Sequence, residues 1–322
     1  MEILEYLNAF AVVQAKILIF IGKVILYYAS TIPFFAILST RQEAKIWKST
    51  PEPLTLFGLV KVYLYNVLWM LFSLIGSISL IPMWIQRGLG RSVEVEAFVV
   101  MEKSVGKTIN AMFLGSVKVI NPHNVPPIAL IQDQDDKTPA PVFIANHCSQ
   151  IDCAAVYTPI RRFKWIAKDS VRYLPGVGQI MALSGHVFIQ RTGKNKSSVS
   201  NLYSKSNEAV QAGIPMMFFP QGTRKMTTNL SFKDGAFRIA AENGATIVPM
   251  SIYIPLNIWN TGYPFVRDSE KNVITITVHE PIPVKKGSSK EEMDRIKEQC
   301  QKIIYSVLPP LYHGVTDEKK TN

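Results

Sequence analysis

The segment Asn146-His147-Cys148-Ser149-Gln150-Ile151-Asp152 places a histidine and an aspartate five positions apart, directly after the apolar run 142–145. Such a run reads as a buried strand. A histidine at a strand end with a carboxylate close by is a candidate general base with its orienting partner. The carboxylate holds one ring nitrogen as N–H, and the other nitrogen is then the one that takes a proton from a hydroxyl. The pattern is short, so its weight depends on what accompanies it. Residues 185–191 read as a strand ending in Arg191, a side chain suited to bidentate phosphate binding; a surface arginine capping a strand is the plainer alternative. Residues 218–224 read as a strand that breaks into a Pro-x-Gly turn. There Gly222 permits close backbone approach and offers an unobstructed N–H. Thr223 and Arg224 add a hydroxyl and a guanidinium that fit a phosphate monoester.

Other reactive side chains carry less. Cys148 adjoins His147, but neighbouring side chains on an extended segment diverge, which argues against a nucleophile. His186 lies within a strand and reads as structural, and Ser149 as a support of its turn. The three cysteines are too few for a disulfide framework, and the scattered histidines give no metal site. The net charge of +11 suits anionic lipid, phosphorylated ligands or nucleic acid. No zinc-finger, RRM or KH signature supports nucleic acid, and the apolar N-terminus favours lipid. A basic field over residues 161–205 includes Arg161, Arg162, Lys164, Arg172, Lys194 and Lys205, opposed by Asp169. It fits a membrane-facing patch, a dock for a polyphosphate carrier, or both.

These residues need a scaffold. Apolar runs of strand length occupy 116–120, 142–145, 164–167, 186–190, 216–219, 246–254 and 273–278. Helical patterns separate several of them. Val199, Leu202, Tyr203 and Val210 share a helical face. Ala236, Phe237, Ile239 and Ala240 form a short helix that Gly244 ends. Met293, Ile296, Cys300, Ile303 and Val307 mark a further helix, with Ser289 and Glu292 as its capping box and Pro309-Pro310 as its stop. The expected class is α/β: a mixed, mostly parallel sheet flanked by helices, with N-terminal membrane-embedded helices. Pro249, inside the apolar run 246–254, demotes that strand toward an edge or bulge, with a core strand as the alternative.

Hydrophobic residues make up 48% of the 322, with the excess in the first 85. Residues 62–85 carry no charge, which is long enough to cross a hydrocarbon core of roughly 30 Å as a helix. Residues 9–40 are apolar but include Lys16, Lys23 and Pro33, and would span, re-enter or lie in the interface. A buried helical hairpin is the alternative. Arg41, Lys45, Lys48 and Lys61 flank one side of the second segment, Arg87 and Arg91 the other, so charge assigns no orientation. The expected division is an anchoring segment 1–91, an α/β domain 92–311 and a polar tail 312–322.

Taken together, these stretches resemble the glycerolipid acyltransferase family, the 1-acylglycerol-3-phosphate acyltransferases. The first family block, Asn-His-x-Ser-x-x-Asp, is matched by Asn146, His147, Ser149 and Asp152. The second resembles residues 185–191. The third, Phe-Pro-Glu-Gly-Thr-Arg, is matched by Phe219, Pro220, Gly222, Thr223 and Arg224, followed by a similar Phe-Lys-x-Gly-Ala segment at 232–236. The fourth resembles Val248-Pro249. Position 221 departs: Gln221 stands where the family has Glu, keeping an acceptor, adding a donor and losing the charge. The resemblance implies acyl transfer from acyl-CoA to the free hydroxyl of lysophosphatidic acid, giving phosphatidic acid. His147 would be the general base and Asp152 its orienting partner. Arg191, Gly222, Thr223 and Arg224 would hold the acceptor phosphate. Asn146, Ser149 and Gln221 would position the substrate, and Val248-Pro249 would line an acyl tunnel. A backbone N–H near the third block would stabilise the oxyanion. No cofactor or metal is implied; the partners are acyl-CoA, a lysophospholipid and the bilayer, with no nucleic acid. Other acceptors, such as lysophosphatidylinositol or lysocardiolipin, and a non-catalytic lipid-binding role are the alternatives. Lys319-Lys320 near the C-terminus resembles an endoplasmic-reticulum retrieval signal, which together with acyl-CoA supply implies a cytosolic active site.

Overall fold

A computed structural model describes residues 2–91, 96–129, 138–190, 196–262 and 273–314. Arg191, Lys194 and the dilysine at 319–320 lie outside the described residues. The helices are α1 (Glu2–Trp47), α2 (Leu56–Ser79), α3 (Ile81–Gly88), α4 (Glu96–Leu114), α5 (Ile151–Ala155), α6 (Val177–Leu183), α7 (Lys196–Gln211), α8 (Gly235–Asn243), α9 (Lys290–Ser306) and α10 (Pro310–His313). The strands are β1 (Val117–Ile120), β2 (Val142–Ala145), β3 (Lys164–Lys168), β4 (Val187–Ile189), β5 (Met216–Phe218), β6 (Ile247–Tyr253) and β7 (Ile274–Val278).

The strands form one sheet in the order β1-β7-β6-β2-β5-β3-β4. Every neighbouring pair is parallel except β6–β7. The mixed, mostly parallel α/β class is therefore the one observed, and each of the seven apolar runs is a strand. β2 sits inside the sheet, pairing Val142 with Met216 of β5 and with Ile247 of β6. Helices cover such a sheet on both faces, so its inner strands are apolar throughout; all four β2 residues are buried. Gly244, at φ 70°, ends α8 in the left-handed region, and the Ser289 side chain accepts the Glu292 N–H to start α9.

The strand carrying Val248-Pro249 is not at an edge. β6 lies between β7 and β2, and both residues are buried, so they do not line a tunnel. Pro249 is tolerated because it sits one residue past the β6–β7 pairing, which begins at Met250 and Val278. Its carbonyl still accepts the His279 N–H at 2.9 Å, and the missing N–H costs only a bond at the ladder's end.

The N-terminal helices also differ from expectation. The charge-free stretch 62–85 is not one helix: α2 ends at Ser79, Leu80 turns, and Pro82 opens α3. α2 packs on the domain, with Val62, Tyr65, Met70, Ser73 and Gly76 buried. Gly176 shows how close the approach is, because a Cβ there would stand 2.2 Å from the Leu74 backbone nitrogen. Lys61 is buried too, its ammonium donating to the carbonyls of Ile258 (3.1 Å) and Thr261 (2.6 Å). α1 runs 46 residues through Pro33, and its Phe10, Leu18, Phe20, Leu26 and Tyr27 are exposed. Its second half meets α2, where Ile32 and Ala36 pack on Met70. Both helices are long and apolar enough to cross a membrane, but the apolar window of α1 is 6% buried and that of α2 39%.

Candidate active site

The turn after β2 leads into α5, whose first turn carries Asp152. The fully buried Asp152 carboxylate is wrapped by that turn. Its Oδ2 meets His147 Nδ1 at 2.8 Å and accepts the backbone N–H of Cys148 (2.6 Å) and of Ser149 (3.1 Å). An anchored carboxylate on Nδ1 fixes the tautomer with the proton there, which assigns the lone pair to Nε2. The imidazole stacks on Phe219 of the third block, with centroids 3.9 Å apart and planes 5° apart; Phe219 stacks in turn on Trp165 at 5.5 Å. The first and third blocks thus meet face to face.

The third block also holds the backbone of His147. Gln221 Oε1 accepts the His147 N–H at 2.7 Å, and the Lys225 N–H donates to the His147 carbonyl at 2.8 Å. The Gln221 amide donates to Tyr305 Oη at 2.8 Å and, more weakly, to the Thr228 carbonyl at 3.5 Å. A carboxamide fits this place because it must accept on one side and donate on the other. Asn146 extends the β2–β6 ladder with its side chain, accepting the Ile252 N–H (2.7 Å) and donating to the Ile252 carbonyl (2.9 Å). The Asn146, Ser149 and Gln221 side chains, expected to position substrate, are buried and turned toward protein groups. Burial pushes the Cys148 thiol well above its ordinary pKa, consistent with an inert thiol.

Gly222 takes φ 71° in the Pro-x-Gly turn, as its position predicts. Its N–H is not unobstructed: it donates to the Phe219 carbonyl at 2.9 Å and closes the turn. Thr223 is exposed beside it. A Cβ on Gly222 would fall 2.6 Å from Lys233 Nζ, so the ammonium of the Phe-Lys-x-Gly-Ala segment lies over this loop. Arg224 is partly exposed and turns toward α1, with Nη1 3.3 Å from Glu43 Oε2 and Nη2 donating to Gln42 Oε1 at 3.1 Å. Glu43 was not singled out by sequence reading. Its only local signal is a lone acid among Arg41, Lys45 and Lys48, spaced to meet Trp47 one helical turn on.

A second histidine–carboxylate pair lies behind Trp165. His186 Nε2 meets Glu102 Oε2 at 2.7 Å, and its Nδ1 accepts the Trp165 N–H at 3.0 Å. Tyr157 Oη donates to Glu102 Oε1 at 2.6 Å and accepts from Trp165 Nε1 at 2.8 Å. Burial alone would raise the Glu102 pKa. Pairing with His186 and the hydrogen bonds from His186 and Tyr157 outweigh it and hold the pKa below the ordinary value.

Residues 116–253 match the model of the acyltransferase family. A 1-acyl-sn-glycerol-3-phosphate acyltransferase from Chlamydomonas reinhardtii is 30% identical over 205 residues, covering 63% of this chain and 56% of the relative. A chloroplastic 1-acyl-sn-glycerol-3-phosphate acyltransferase from Arabidopsis thaliana is 32% identical over 146 residues, covering 45% and 40%. The beta form from Homo sapiens is 27% identical over 165 residues, covering 51% and 58%. The chain therefore spans about half the length of the curated relatives it matches. Among solved structures, the 1-acyl-sn-glycerophosphate (LPA) acyltransferase PlsC from Thermotoga maritima superposes with a TM-score of 0.51 at 21% identity, covering 76% of this chain and 94% of that one. That likeness shows the fold.

Proposed function

We propose that the protein transfers a fatty acyl group from acyl-CoA to the free hydroxyl of lysophosphatidic acid, giving phosphatidic acid. The observation that carries this reading is the His147–Asp152 pair at 2.8 Å, its imidazole stacked on Phe219 of the loop that bears Arg224. The relatives' names supply the acceptor. In the proposed mechanism His147 Nε2 takes the proton from the acceptor hydroxyl as that oxygen attacks the thioester carbonyl. Asp152 holds the tautomer and stabilises the imidazolium. The tetrahedral intermediate collapses with cleavage of the C–S bond, and the imidazolium returns the proton to the departing CoA sulfur. Gly222, Thr223 and Arg224 hold the acceptor phosphate, with Lys233 as a further cation over the loop; Arg191, expected to join them, lies outside the described residues. The oxyanion needs a donor other than the Gly222 N–H, which is committed to the Phe219 carbonyl.

On this reading the enzyme works at a membrane, with the exposed apolar half of α1 in the bilayer. About 24 residues of helix span about 36 Å, so α2 could also reach across the bilayer, yet its packing ties it to the domain. The site would face the compartment that supplies acyl-CoA, the cytosol at the endoplasmic reticulum. The test is transfer of labelled oleoyl-CoA by detergent-solubilised protein to lysophosphatidic acid and to a panel of other lysophospholipids. His147-dependent phosphatidic acid supports the reading. Product from another acceptor changes the substrate and keeps the mechanism. Folded protein that transfers to no acceptor overturns it.

A further inference from the structure

The fully buried Glu43, near the end of α1, is where the N-terminal helix meets the candidate site. Its Oε1 accepts from Trp47 Nε1 (2.9 Å), from Trp259 Nε1 (3.3 Å) and from the Ser149 hydroxyl. Its Oε2 accepts the Gln150 N–H (3.2 Å) and pairs with Arg224 Nη1 (3.3 Å). Two of these partners, Ser149 and Gln150, belong to the turn that carries His147, and a third is the arginine assigned to the acceptor phosphate. A carboxylate buried this deeply is costly, and an apolar group of the same volume would stabilise a fold at least as well. What an apolar group would not do is aim a guanidinium. Glu43 and Gln42 each take one terminal nitrogen of Arg224, which orients the plane of the fork. The same carboxylate holds the turn at Ser149 and Gln150, beside the bonds that Asp152 makes to Cys148 and Ser149.

We propose that Glu43 is a positioning residue for acyl transfer, holding Arg224 for the acceptor phosphate and locking the turn that carries His147, so that the N-terminal helix is part of the active site. The proposal rests on the acyl-transfer reading above. It acts through geometry: a misplacement of about 1 Å at a reacting group costs on the order of 100-fold.

The informative variant is Glu43→Gln. If its oxygen keeps the place facing Trp47, Trp259 and Ser149, its NH2 faces the Gln150 N–H and Arg224, donor against donor. Purified wild type, Glu43→Gln, Arg224→Ala and the double variant are compared for kcat and for KM toward lysophosphatidic acid. Direct binding of lysophosphatidic acid is measured by calorimetry, and folding by melting temperature. Glu43→Gln is expected to raise the acceptor KM and weaken binding by roughly 10-fold or more, with a smaller fall in kcat. In the Arg224→Ala background it should add little to the acceptor KM. A wild-type KM and kcat for folded Glu43→Gln overturns the proposal, as does a purely additive loss that tracks melting temperature. Should Glu43→Gln not fold, Ser149→Ala removes the turn's hydroxyl bond and keeps the carboxylate; it must lower kcat severalfold, and an unchanged kcat overturns the proposal. Wild-type protein that binds lysophosphatidic acid in a Glu43-dependent way but transfers nothing sinks the acyl-transfer reading and leaves the Glu43–Arg224 link standing.

Discussion

Among the described residues two histidine–carboxylate pairs have nearly equal spacing, His147–Asp152 at 2.8 Å and His186–Glu102 at 2.7 Å, and the proposed mechanism gives proton transfer to the first alone. Asp152 engages Nδ1 of His147, so proton uptake falls to Nε2 on a side chain that is 13% exposed. The His186 side chain is 0% exposed, with Glu102 on one nitrogen and the Trp165 N–H on the other, so no lone pair remains for chemistry. The distance within a pair does not separate a base from a brace; the nitrogen that the carboxylate holds and the exposure of the ring differ between them. The two pairs are also joined. His186 and Tyr157 hold Trp165, which supports Phe219 under the His147 ring.

The sharpest way to break the comparison is His147→Ala. We expect acyl transfer to fall by about 1,000-fold or more, within the range for removing a general base, and the melting temperature to stay near that of wild type. Asp152→Asn should cost about 100-fold in kcat through loss of the fixed tautomer, measured on protein of verified fold. His186→Gln should do the reverse. Loss of its bond to a largely buried carboxylate should cost about 3 kcal/mol of stability in denaturant melts, with only a small change in turnover per folded molecule. That loss should depend on pH. The Glu102 pKa is depressed in the folded protein, so its contribution is complete above the unfolded value near 4.5 and is lost as pH falls through the folded value. The gap in stability between wild type and His186→Gln should therefore narrow below about pH 4.5; a gap that widens on acidification would count against the assignment. The smallest effect should come from Gln221→Glu. The acceptor for the His147 N–H survives, the Tyr305 hydroxyl can reverse its bond, and only the Thr228 carbonyl faces a new oxygen. Turnover should stay within roughly fivefold.

Much of this arrangement was legible because it is local or periodic. The strands follow from apolar runs that a covered, mostly parallel sheet requires, and α8 and α9 from the glycine and serine that end and start them. His147 and Asp152 lie within one turn, so their pairing could be read from spacing. What was not legible depends on long-range packing. Glu43 meets Ser149 across 106 positions and Arg224 across 181, and nothing near residue 43 announces either. The inward role of Gln221 is set by Tyr305, 84 positions away. Charge-free length singled out residues 62–85 as the better membrane segment, yet α2 is the helix packed on the domain. Composition cannot distinguish an apolar surface that meets lipid from one that meets protein. Pro249 misled for a related reason: the rule against proline concerns a missing N–H, and here that N–H falls where β7 has already ended.

The most direct measurement is labelled oleoyl transfer to lysophosphatidic acid by wild type, His147→Ala and His186→Gln, assayed side by side at temperatures where all three are folded. The account predicts transfer by wild type and His186→Gln and none above background by His147→Ala. Transfer by His147→Ala near the wild-type rate would contradict it.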